Sequence, residues 1–143
     1  MLKKHIIYTD YNGVEKKEDH YFNLTEAEIT QFQWGVKGGL IETLKQAIKS
    51  EDSPVIMDAF EKLIDKSYGV KTVDGKFKKT KEALDDFKST PAYSQLFMDI
   101  LTKPEAMDEF TRGVIPANIS KTLPKDLNDA LPEDVKEILP TQN

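Results

Sequence analysis

Two hydrophobic periods divide the chain. From Lys3 to Asn23 the pattern is strand-like. Ile6, Ile7, Tyr8 and Thr9 favour one strand, and Tyr21 and Phe22 favour a second. Asn12-Gly13 lies between them and predicts a hairpin, because both residues tolerate positive φ. Two registers fit. A two-residue turn at Asn12-Gly13 sets Ile7 opposite Glu18 and His5 opposite His20. A type I turn on Asp10–Gly13 with a glycine bulge shifts the pairing by one and separates the histidines. The sequence leaves both registers, and the core face, open.

From Leu24 to Ile115 the period becomes helical. Thr25 and Glu28 have capping-box spacing, and Leu24 and Ile29 that of a hydrophobic staple. A first helix is predicted over Glu26–Trp34, stopping at Gly35, with Gly38-Gly39 breaking the chain. A second helix carries Leu40, Ile41, Leu44, Ala47 and Ile48 on one face. A third opens at Ser53-Pro54, carries Ile56, Ala59, Phe60, Leu63 and Ile64, and ends at Gly69. Asp74-Gly75 marks a short β-turn excursion over Val70–Lys79, with Val73 and Phe77 packing back. Thr80 caps a fourth helix bearing Leu84 and Phe87. Thr90-Pro91 opens a fifth with Tyr93, Leu96, Phe97, Ile100 and Leu101 facing inward. Pro104 opens a sixth with Met107 and Phe110, and Gly113 ends it.

The last segment is different. It holds Pro116, Pro124, Pro132 and Pro140, lacks glycine, and contains an octad. Leu123-Pro-Lys-Asp-Leu-Asn-Asp-Ala130 is followed by Leu131-Pro-Glu-Asp-Val-Lys-Glu-Ile138. Leu123, Leu127, Leu131, Val135 and Leu139 recur every four residues. Helices of one or two turns are not stable alone in water, so this stripe requires a surface, either its own body or a partner. The fold expected is mainly α within an α+β class. One domain over 1–116 comprises a hairpin at 3–23 and a body of five or six short helices at 24–115. A Pro-rich helical tail follows at 117–143, docked or disordered.

Composition narrows the function. The 143 residues contain 38% hydrophobic and 31% charged positions, as globular domains do. No apolar run approaches the length of a membrane span, and no export signal precedes the first strand, so the Asn118-Ile-Ser120 sequon reads as chance. Cysteine is absent, which removes disulfides, thiolate catalysis and cysteine zinc sites. Net charge is −5, and Arg112 is the only arginine among 20 basic residues. That balance argues against a nucleic-acid partner.

Candidate chemistry is sparse. His5 and His20 could hold a metal with Glu18 or Asp19 only if paired across the hairpin, and surface histidines are the plainer reading. The carboxylates sit mostly among lysines on solvated helix faces, as with Glu42 beside Lys45 and Glu61 beside Lys62. Lys76–Lys81 places four lysines around Phe77, a wet loop or a patch for an anionic partner. No catalytic, cofactor or metal residue is assigned. Trp34 and Tyr93 are candidate binding anchors as well as candidate core residues, and Leu123, Leu127, Leu131 and Val135 form a candidate docking stripe.

The order of short motifs adds a resemblance. Tyr8-Thr-Asp-Tyr-Asn-Gly13, Phe22-Asn-Leu-Thr25, Gly38-Gly-Leu40, Lys66-Ser-Tyr-Gly69 with Asp74-Gly75 and Phe77, Tyr93 through Leu96-Phe97, and Phe110 with Gly113-Val-Ile-Pro116 together resemble the tail assembly chaperones of long-tailed bacteriophages. The resemblance covers about Ile6–Pro116 and leaves the octad tail out. It implies a chaperone without catalysis that coats the long helical tape measure protein in the host cytoplasm. Tail tube subunits would then displace it as the tube polymerises. It also implies action in multiple copies, hence a homo-oligomer, and in many such proteins a longer frameshifted form. The alternatives are a structural virion protein, such as a head–tail connector or completion protein, and a regulator that sequesters a host protein.

Overall fold

The computed structural model describes residues 1–31, 39–50 and 53–120. Strands β1 (Leu2–Thr9) and β2 (Glu15–Phe22) form the hairpin. Helices α1 (Glu26–Gln31), α2 (Gly39–Lys49) and α3 (Ser53–Ser67) follow, then the small strands β3 (Tyr68–Lys71) and β4 (Phe77–Lys78). Helices α4 (Lys81–Lys88), α5 (Pro91–Thr102), α6 (Pro104–Val114) and α7 (Ala117–Ser120) complete the described chain. The Trp34 end of the first helix and the stripe Leu123, Leu127, Leu131, Val135 lie outside the described residues.

The hairpin adopts the second of the two registers. His5 faces Asp19 and Ile7 faces Lys17, while His20 faces Lys4. Asp10 decides this. Its carboxylate accepts the N–H groups of Asn12 and Val14, both at 2.9 Å. Its carbonyl accepts Gly13 N–H at 3.0 Å, and its own N–H reaches Val14 O at 2.8 Å. Gly13 takes φ 82°, the left-handed position that the bulge needs. The core face follows: Ile6, Tyr8 and Phe22 are buried, and Ile7 points outward.

The β content exceeds a lone hairpin. Tyr68 and Gly69 pair with Phe22 and Tyr21, giving one four-stranded antiparallel sheet in the order β1-β2-β3-β4. Helix α3 therefore ends at Ser67, two residues before the expected Gly69 stop. The Ser67 hydroxyl turns back to Leu63 O at 2.7 Å, and its carbonyl accepts Asn23 N–H at 2.8 Å, leading the chain from helix into sheet. Gly69 serves close approach instead: a Cβ there would lie 2.7 Å from the Phe77 ring. Phe77 packs back as expected, but Val73 is fully exposed at the turn. Gly113 likewise does not end its helix. It sits inside α6, where a Cβ would meet Leu2 Cδ1 at 2.8 Å, and Val114 closes the helix by accepting Leu24 N–H at 2.7 Å.

The cap predictions divide. Thr25 and Glu28 form the reciprocal capping box, at 3.0 and 3.1 Å. Thr80 Oγ1 accepts Ala83 N–H at 3.1 Å. Thr90 does not cap α5 with its side chain; its hydroxyl donates to Phe87 O at 2.8 Å.

The core lies between the inner sheet face and the helices. Phe22, Phe60, Leu63, Ile64, Phe110 and Val114 are almost completely excluded from solvent. Aromatic rings bind the layers together: Tyr68 stacks on Phe87 at 4.5 Å, and Phe22 meets Phe110 edge-on at 5.2 Å. Ile119 of α7 also packs against this cluster.

Candidate interaction surfaces

Tyr93 sits on the partly buried side of α5. Its ring stacks on Phe97 at 5.9 Å and meets Phe87 edge-on at 5.8 Å, with Lys88 Nζ 5.2 Å above it. Lys88 also bonds Asp65 at 3.1 Å. The Tyr93 hydroxyl is buried without a partner among the described residues. Burial, with the nearby charges of Asp65 and Glu61, pushes its pKa well up and keeps the phenol neutral. Tyr93 thus packs within an aromatic wall, with only part of its side chain facing solvent.

The histidines are kept apart by the register. His5 pairs with Asp19 at 2.7 Å on the outer sheet face, and its hydrogen bond holds the Asp19 carboxyl below its ordinary range. His20 lies on the inner side, with its ring centroid 4.5 Å from that of Phe87. Its Nε2 contacts Glu18 at 3.1 Å and its Nδ1 contacts the Tyr68 hydroxyl at 3.3 Å. Tyr8 also donates to Glu18, at 2.9 Å. A neutral His20 satisfies this chain when Nε2–H donates to Glu18 and Tyr68 donates to Nδ1. Among the described residues, no group of three or more histidines and carboxylates is placed to hold a metal ion.

The lysine run is partly absorbed by structure. Lys79 donates to both Glu28 oxygens, at 2.8 and 2.7 Å, and to Asn23 O at 2.6 Å. Burial alone would raise the Glu28 pKa. Hydrogen bonds from Lys79 and from Thr25 outweigh it and hold the carboxyl below its usual value. Lys76 pairs with Asp74 at 3.4 Å. Lys78 and Lys81 stay exposed.

Sequence reasoning missed the groove beside β3. That strand meets β2 only at Tyr21 and Phe22, so it leaves a shallow open groove of about 420 Å³ along the rest of β2. Glu18, His20, Tyr21, Tyr68, Val70 and Lys71 are among its lining residues. Lys71 Nζ rests 4.7 Å from the Tyr21 ring centre. The outward-facing Ile7, Val14, Val55, Met57, Val70 and Met98 add scattered apolar surface. The Asp74-Gly75 turn signal points to the β3–β4 excursion, but nothing in the pattern points to the pairing of β3 with β2 that creates the groove.

His5, His20, Glu28 and Lys79 are tied into pairs that join strands and helices, on a small α+β module with exposed apolar positions. A family model described as phage tail assembly chaperone matches residues 1–141, and the chain belongs to that family. The match runs through the octad tail, beyond the segment where the motif resemblance lies. No curated protein and no solved structure matches the chain.

Proposed function

We propose that this chaperone binds the tape measure protein of its phage and keeps it soluble in the host cytoplasm until the tail tube polymerises. The observation that carries the reading is family membership across almost the whole chain. The physical requirements agree with it. A long, partly apolar helical client needs a partner with apolar contact surface and modest affinity per copy. Many copies on one client supply avidity, and tube polymerisation can still displace each weak contact. Among the described residues no helix is long and apolar enough to cross a membrane. The stripe Leu123, Leu127, Leu131 and Val135 is the first docking candidate, because an apolar repeat at four-residue spacing suits a helical client. Trp34 and Tyr93 are the candidate aromatic anchors.

Two measurements test the reading. Titration of the chain with amphipathic segments of the tape measure protein should give saturable binding, weakened by Leu127→Asp with Leu131→Asp. Quantitative mass spectrometry of purified virions should find this chain far below one copy per structural subunit. Stoichiometric incorporation would instead favour a connector or completion protein.

A further inference from the structure

The helices cover the inner face of the sheet and leave the outer face open. Residues directly opposite each other share a face. The register therefore puts Ile7 with Lys17, His5 with Asp19, and Lys3 with Tyr21 and Gly69 on the outside. Lys71 and Phe77 continue this face across β3 and β4. Lys3, His5, Lys17, Asp19 and Lys71 are exposed, Ile7 is 49% exposed, and Tyr21 and Phe77 are half-buried. No described residue covers this face. The groove beside β3 opens at its Tyr21 end, with Tyr21, Gly69 and Lys71 in the lining.

We infer that residues 121–143 of this chain dock across the outer sheet face in the free protein, with the stripe Leu123, Leu127, Leu131 and Val135 against Ile7, Tyr21 and Phe77. Position, length and charge select this occupant. Gly113 of α6 faces Leu2, and Val114 accepts the Leu24 N–H, so the end of α6 is anchored where β1 begins and β2 ends. The described residues stop at Ser120, one short helix beyond that anchor. Residues 121–143 therefore start near the Lys3 and Tyr21 end of the face. At a helical rise of about 1.5 Å per residue, Leu123 to Leu139 covers about 24 Å. The eight residues of β1 cover about 26 Å at about 3.3 Å each. Lys3 and Lys71 form no ion pair among the described residues, and Lys17 reaches Glu15 only at 4.0 Å. The segment to be docked carries Asp126, Asp129, Glu133, Asp134 and Glu137 against Lys121, Lys125 and Lys136. An acidic segment with an aliphatic stripe complements an apolar face that bears unpaired lysines. A second copy would instead set one lysine-bearing face on another. A stripe docked here is withheld from a client, so a tape measure segment has to displace it. That autoinhibitory consequence rests on the proposed function; the docking itself does not.

The experiment uses the full chain without a client. The sequence has no cysteine, so Asn128→Cys places one nitroxide label within the stripe. Paramagnetic broadening of amide NMR signals then reports what lies near it. The amides of Ile7, Lys17, Tyr21 and Lys71 should broaden, while those of Lys62 on α3 and Lys103 beyond α5 stay sharp. Ile7→Glu and, separately, Lys71→Glu place an acid on the face and should each reduce the broadening by at least about threefold. Both positions are exposed, and circular dichroism with a cooperative melt verifies folding; Lys71→Glu stands as the test if Ile7→Glu unfolds. A mixed sample, with the nitroxide on one set of molecules and nitrogen-15 on another, should show no broadening. Sharp signals across the whole sheet in the labelled chain overturn the inference. So does broadening centred on another face, broadening that ignores both substitutions, or broadening in the mixed sample, which would assign the contact to a second copy. Because no client is present, any of these results leaves the tape measure reading standing.

Discussion

At the residue scale, a few side chains make the sharpest claims. Leu63 is fully buried between the sheet and its neighbouring helices. Leu63→Ala should cost about 2–5 kcal/mol, measured by urea denaturation. Gly113 faces Leu2 so closely that Gly113→Ala should destabilise by about 1–3 kcal/mol, with partial recovery when Leu2 is also shortened. A neutral effect would show that the α6–β1 contact is looser than described. Glu28 links the α1 cap to Lys79. Because its folded pKa is depressed, its contribution is present above the unfolded carboxyl pKa and is lost as pH falls through the folded value. Glu28→Gln should therefore lower Tm most near neutral pH. The gap from wild type should shrink as pH falls below about 4. A constant gap would contradict the ion pair.

At the element scale, legibility followed the length of the signal. Helices α3, α5 and α6 carry apolar stripes over three turns, and those stripes are the buried faces. The capping box was readable because Thr25 and Glu28 are fixed by spacing alone. The hairpin existed in the pattern, but its register did not, since Asp10 chooses the bulged turn through side-chain bonds that periodicity does not encode. The start of β3 at Tyr68 and its pairing with β2 were hidden for a related reason, although Asp74-Gly75 had marked the β3–β4 turn. Four residues, two of them exposed, have no period to read, and Ser67 stops α3 through a tertiary bond to Asn23. The glycines misled in one consistent way. Gly69 and Gly113 looked like helix stops, and both are close-approach positions. The groove depended on the pairing of β3 with β2 and was lost with it, whereas Tyr93, read both as an anchor and as a core residue, has its ring against Phe87 and Phe97. Removal of residues 121–143 tests the last element: the remaining body should still melt cooperatively, since Ile119 already closes the described core. Loss of cooperativity would place the octad within the fold.

At the scale of the whole molecule, the account joins a small α+β module to the work of a phage tail assembly chaperone. The sheet supplies a frame, and the helices close one face of it. The direct measurement is the soluble fraction of the tape measure protein expressed with and without this chain. The account predicts that the client is largely insoluble alone and becomes soluble in a complex that contains this protein. Equal solubility in both cultures would contradict it.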